Sequence, residues 1–307
     1  MKPLIKKLVE AWGPSGSEDQ IRALVRAEIS GLADTITVDP LGNLIAIVKK
    51  KAKNGKKIIL AAHLDEVGFV VSHIDERGFA RVQPFGGINL LACVGGRVRF
   101  ADGRLGVIGL DTRRDDLNKS PALSEMFVDV GASSRADCPL QVGDPAAPYR
   151  PMEDLGQRLV AKSMDDRIGV AILIETLRTL KKTPHEVAFV FSVQEEVGLR
   201  GAGAAAFGLD ADVGLAVDVT RTGDTPNGPK MEVSLGRGPA IKVRDAGLIA
   251  DPRLKDLLVR RAAEARLPTQ LEVLEGGTTD AAAMQIARGG QPAGCVSVPT
   301  RYIHTPS

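Results

Sequence analysis

The runs IILAAH (58–63) and AFVFSV (188–193) carry hardly a polar residue, and VGLAVDV (213–219) is nearly as apolar. A strand of that character must be covered on both faces, which calls for helices packed above and below a largely parallel sheet. Helical patterns fall between and after these runs: DDRIGVAILIETLRTLKK (165–182), the small-residue stretch GAGAAAFGL (201–209), DPRLKDLLVRRAAEARL (251–267) and TTDAAAMQIARGG (278–290). Further strands are expected at TITVD (35–39), NLIAIVK (43–49), QLEVLE (270–275) and AGCVSVPTRYI (293–303), and helix is expected over 3–31 with a break at Pro14–Ser17. From about Ser72 the character changes. Short runs such as FARVQPF, GRVRF, RLGVIGL and MFVDVG alternate with Gly, Pro and Asp turns, the pattern of a small all-β unit. The chain therefore reads as an α/β domain with a mixed sheet (1–71 and 159–307) interrupted by an inserted β domain (72–158).

Charge narrows the function. Forty Lys and Arg against 38 Asp and Glu leave a formal charge of +2, too balanced for a nucleic-acid binder. The basic run around Lys49–Lys57 reads as a solvated hairpin loop. Three cysteines, Cys93, Cys138 and Cys295, without CxxC spacing argue against a disulfide framework and fit a reducing cytoplasm. The N-terminus lacks the apolar core of a signal peptide, and no apolar run reaches membrane-spanning length.

The candidate chemistry sits where strands end. His63 closes IILAA, and Asp65, two residues on, shares its face as i and i+2 do on a strand, so that its carboxylate could hold one imidazole nitrogen and leave the other for a metal. Asp165 and Asp166 open a helix, where acidic residues favour the macrodipole; two in succession cannot both cap, so one is available for other work. Glu195 and Glu196 close the strand AFVFSVQ. Adjacent strand residues face opposite ways, so one carboxylate could bind a metal while the other reaches a water on it. Asp218 and His304 also end strands, where open α/β sheets build sites. His73 and His185 lie in turn-like surroundings and read as surface residues. Two histidines and three carboxylates, one of them bridging, would give three ligands to each of two divalent ions, with a further carboxylate to move the proton.

The set AAHLDEVGF (61–69), KSMDDRIG (162–169), SVQEEVGLRGA (192–202), AVDVT (216–220), EGGTTDAAAMQ (275–285) and SVPTRYIHTPS (297–307) resembles the M42 family of dinuclear metallo-aminopeptidases, in the family's order and over nearly the whole chain. The resemblance implies an α/β catalytic domain carrying a PDZ-like β domain used in oligomerisation. It implies that His63 and Asp218 hold one metal, Glu196 and His304 the other, and that Asp165 bridges them. Asp165 is chosen over Asp166 because the family's second position can be Asn. Glu195 would be the general acid/base and Asp65 would orient His63. Zinc or cobalt, peptide substrates cleaved at the N-terminus and a homo-oligomer, often a dodecamer, are further implications. Family chains usually continue past the IH(S/T)P motif, whereas this sequence stops at Ser307; looser packing around His304 is expected if that tail is absent.

Two rival readings are weaker. A glycoside hydrolase could use paired carboxylates, but it leaves His63 and His304 without a task, and 4% aromatic residues with Trp12 as the one tryptophan offer few sugar-stacking platforms. A non-catalytic scaffold with a decayed site is at odds with the complete ligand set.

Overall fold

A computed structural model describes residues 1–49, 52–111, 120–180 and 182–307. Its strands in chain order are β1 (Thr35–Val38), β2 (Leu44–Val48), β3 (Lys57–His63), β4 (Gly68–Ile74), β5 (Ala80–Phe85), β6 (Arg97–Phe100), β7 (Leu105–Leu110), β8 (Met126–Asp129), β9 (Pro145–Pro148), β10 (Glu153–Asp154), β11 (Leu159–Val160), β12 (Glu186–Ser192), β13 (Val213–Thr220), β14 (Ala240–Arg244), β15 (Gln270–Val273) and β16 (Ala293–Pro299). The α-helices are α1 (Lys2–Val9), α2 (Asp19–Glu28), α3 (Leu90–Cys93), α4 (Met164–Thr179), α5 (Arg200–Leu209), α6 (Pro252–Glu264) and α7 (Asp280–Gln285).

Eight strands form one mixed sheet in the order β1-β2-β12-β3-β13-β16-β14-β15. Its centre, β12-β3-β13-β16, is parallel throughout. Side chains alternate across it as a strand requires. Val187, Phe189 and Phe191 of β12 face the layer of α1, α2 and α4, while Ala188 and Val190 face α5 and α7. The second layer is built from small residues. Ala202, Ala205 and Ala206 of α5 and Ala281 and Ala282 of α7 let those helices sit close against the sheet. Strands β4 to β9 form a separate closed antiparallel barrel, β4-β5-β8-β7-β6-β9, with its own core around Phe69, Val98, Phe100 and Val128. Trp12 fastens the two bodies together, its indole N–H donating to the Arg99 carbonyl at 2.8 Å.

Several sequence expectations are corrected. The basic run does not close a hairpin. Strands β2 and β3 lie on either side of β12, to which β2 is antiparallel and β3 parallel; Lys50 and Lys51 fall outside the described residues. The motif AAHLDEVGF spans two bodies, because the chain leaves the sheet after His63 and enters the barrel at Gly68. Strand β14 was not anticipated. Its central Lys242 looks solvent-seeking, yet it is buried, with its ammonium 2.9 Å from Glu272 Oε1 and 3.3 Å from Asp245 Oδ2.

The start of α5 illustrates how tightly the layers meet. A Cβ on Gly201 would collide with the Asn43 side-chain oxygen and the Val193 carbonyl. Gly201→Ala is therefore expected to destabilise the protein by about 1–3 kcal/mol through overpacking, measurable as a lowered denaturant midpoint with an unchanged slope.

Candidate metal centre

Parallel register brings the strand ends to one edge of the sheet. Ser192 pairs with His63 and Ala216 with Ala61, so two residues further on Asp218 comes level with His63. Asp218 also pairs with Ser297 of β16, and the chain beyond β16 turns back so that His304 reaches the same edge. The φ of His304 is +61°, in the left-handed region. Its amide-bearing stretch is tied to the segment after β5, since the His304 carbonyl accepts from Asn89 N at 2.8 Å and Nδ1 lies 3.2 Å from the Gly87 carbonyl.

Asp165 sits between the two imidazoles. Its Oδ1 is 3.0 Å from His63 Nε2 and its Oδ2 is 3.4 Å from His304 Nε2. Asp166 points elsewhere, accepting from the His63 and Gly169 backbone N–H groups at 3.2 and 3.1 Å. Both aspartates depart from helical backbone angles inside the first turn of α4; Asp166, accepting from the amide three residues on, caps the helix, and the Asp165 carboxylate is left for the imidazoles. Glu196 Oε2 lies 3.2 Å from His304 Nε2, and Glu195 Oε2 lies 3.9 Å from His63 Nε2. The two glutamates do not diverge through strand alternation, as the sequence suggested. Strand β12 ends at Ser192, and Gln194, at φ +55°, turns the backbone before either is reached. His63 Nδ1 is 3.1 Å from the Asp65 backbone carbonyl and 3.5 Å from its carboxylate, which also accepts from Glu195 N at 3.0 Å.

Burial and proximity place the acids under strain of charge. Burial, then the nearby charges of Asp218, Asp280 and Glu196, pushes Glu195 well above the ordinary carboxylate range, although His63 opposes this. Asp218 and Asp166 are raised likewise, chiefly by burial, and Glu196 is raised by burial and by Asp165. Asp165 goes the other way. Burial would raise it, but its contacts with His304 and His63 hold it well below the usual value. Burial opposes charging of His304, yet Asp165 and Glu196 lift it to about 10.

Such an assembly suits divalent cations. Ligand atoms of His63, Glu195 and Asp218 lie within 4.8 Å of one another, as do those of His63, Asp165 and Glu196. Glu196 Oε1 is buried without a hydrogen-bond partner among the described residues, as expected of an oxygen aimed at an ion. Mixed imidazole and carboxylate donors fit zinc or cobalt. An open cleft of about 270 Å³ adjoins these residues, walled also by Leu199, Lys242, Thr278 and Ile303.

Sequence reasoning missed Asp280. It is fully buried, bonded to the Ser192 hydroxyl, and raised to about 6, mainly by burial. The signal was present, since TTD opens an amphipathic helix, but it read as an ordinary helix start.

Comparison with known proteins gives consistent matches. A family model described as M42 glutamyl aminopeptidase matches residues 42–307. The chain is 36% identical to the lysyl aminopeptidase of Pyrococcus furiosus over 98% of its length and 90% of that protein. An aminopeptidase structure from the archaeon Desulfurococcus kamchatkensis superposes with a TM-score of 0.94 at 43% identity, covering 99% of this chain and 88% of that one. The TET1 peptidase of Pyrococcus horikoshii superposes with a TM-score of 0.86 at 30% identity, covering 99% and 92%.

Zinc titrated into metal-free protein should raise its stability by about 2.7 kcal/mol for each site filled when free metal reaches a hundred times Kd. The thermal midpoint reports this, and Asp165→Asn should remove most of the gain.

Proposed function

The chain belongs to the M42 family of aminopeptidases and is a hydrolase of peptide bonds, and from that premise we propose that it is a dinuclear metallo-aminopeptidase whose proton carrier is Glu195. The observation that carries the proposal is the position of Asp165 between the imidazoles of His63 and His304. In this reading His63 and Asp218 hold one divalent ion, Glu196 and His304 the other, and Asp165 serves both. Bound there, a zinc or cobalt pair supplies Lewis acidity toward a peptide carbonyl and makes a water molecule easier to deprotonate.

The chain's own residues supply the rest. The family resemblance assigns Glu196, beside His304, to the metal and Glu195, also at the cleft, to the proton, which it would accept at Oε2 and return to the leaving amine. Glu195 lies near enough to His63 and Asp218 to be counted with them as a donor. Its assignment as base rather than ligand follows the division of work between the two neighbouring glutamates. The substrates are peptides entering N-terminus first. The P. horikoshii TET1 peptidase can assemble into a tetrahedron or a large octahedral shell, and we extend homo-oligomeric assembly, with the barrel as a contact element, to this chain. The three free cysteines fit a reducing cytoplasm, and among the described residues no helix is long and apolar enough to cross a membrane.

Removal of metal by a chelator should abolish release of N-terminal residues from peptides, and zinc or cobalt should restore it; release that persists in fully metal-free protein would contradict the scheme. Glu195→Gln should retain its metals, measured by elemental analysis, while kcat falls about 10²–10⁴-fold.

A further inference from the structure

The loop joining α1 to α2 reads in sequence as a mere break between helices. In the structure it reaches the back of the Gln194–Glu196 turn. Three successive backbone N–H groups of that turn are each taken by a buried carboxylate: Gln194 N donates to Glu18 Oε1 at 3.2 Å, Glu195 N to Asp65 Oδ1 at 3.0 Å, and Glu196 N to Asp65 Oδ2 at 3.2 Å. Asp65 is itself fixed by the Ser15 hydroxyl, which donates to Oδ2 at 2.6 Å. Glu18 stands at the start of α2 but does not cap it; its Oε1 accepts instead from Gly16 N at 2.7 Å. Ser15, Glu18 and Asp65 are all under 5% exposed.

We propose that Ser15 and Glu18 are positioning residues for the catalytic centre: Ser15 acting through Asp65, and Glu18 acting on Gln194, they fix the turn from which Glu195 and Glu196 project. The physical reason lies in the turn's backbone. Gln194 occupies the left-handed region at φ +55°, which a non-glycine residue holds only when its surroundings enforce it. The side chains that enforce it are carboxylates satisfied on the far side by the α1–α2 loop. Because Glu195 and Glu196 leave this turn toward different imidazoles, a small rotation of it would move both oxygens off their targets together. Ser15 touches neither cleft nor ligand.

The kinetic half of the test rests on the peptidase reading, and the metal-binding half does not. Ser15→Ala, Ser15→Thr and wild type are compared. Ser15→Ala is expected to lower kcat about 10–100-fold with KM unchanged, and to weaken zinc binding to the metal-free protein, followed by calorimetry, by about tenfold. Ser15→Thr, which keeps the hydroxyl, should restore both. A Ser15→Ala protein that is merely less stable, with wild-type kcat and zinc affinity, overturns the proposal. If Ser15→Ala does not fold, Glu18→Gln and Glu18→Ala decide. The glutamine retains an accepting oxygen and should keep wild-type zinc affinity and kcat, while the alanine loses both; equal behaviour of the two overturns the proposal. A wild type without peptidase activity would refute the proposed function, and zinc affinity alone would then settle the positioning role.

Discussion

The parallel hydrogen bonding of β12-β3-β13-β16 is the constraint from which the rest follows. Parallel strands end on the same side, so residues far apart in the chain arrive at one edge without any of them needing to be neighbours in sequence. The register does finer work. With Ser192 opposite His63 and Ala216 opposite Ala61, a slip of one residue would turn Asp218 to the other face of the sheet and break the group. That register is held by the two-sided core, with large residues such as Phe189 and Phe191 toward α4 and small ones toward α5.

Bringing carboxylates together in a buried place is unfavourable in itself. Asp166, Glu195, Glu196 and Asp218 are all pushed toward their neutral forms, and the two imidazoles are pulled toward their charged ones. For His63, burial opposes the charge, but Glu195 and the bonds to Asp165 and Asp65 outweigh it. The protein alone thus balances acids against histidines, and divalent cations would relieve the remaining repulsion. Behind the centre a second charged group is balanced by protein alone. Glu66 accepts from Lys162 at 2.6 Å and from Ser163 at 2.5 Å, with Arg167 3.7 Å away, tying the segments that carry Asp65 and Asp165 to each other.

Much of the architecture was legible because periodicity survives burial. The apolar strands, the amphipathic α4 and the turn-rich stretch of the barrel all declare themselves locally. What escaped was decided by long-range pairing. Strand β14 was hidden because Lys242 gives a polar reading that only Glu272 and Asp245 explain. The pairing of β2 and β3 with β12 rather than with each other cannot be seen from the basic loop between them. At the site, the residue types at strand ends were visible, and the family motifs gave them an order. The geometry behind Glu195 and Glu196 was not, because their divergence comes from the bend at Gln194 rather than from strand alternation. Asp65 was visible as a neighbour of His63 because two residues separate them; that its carboxylate also accepts from amides contributed 130 residues later was not.

The barrel lies in sequence between β3 and α4, so His63 and Asp165 flank it, and His304 enters after every other strand of the sheet has been laid down. During translation the donor set is therefore assembled stepwise, and a nascent polypeptide released only as far as Asp218 still lacks the second imidazole. Under the proposed mechanism, a nascent polypeptide has no complete centre until His304 has emerged.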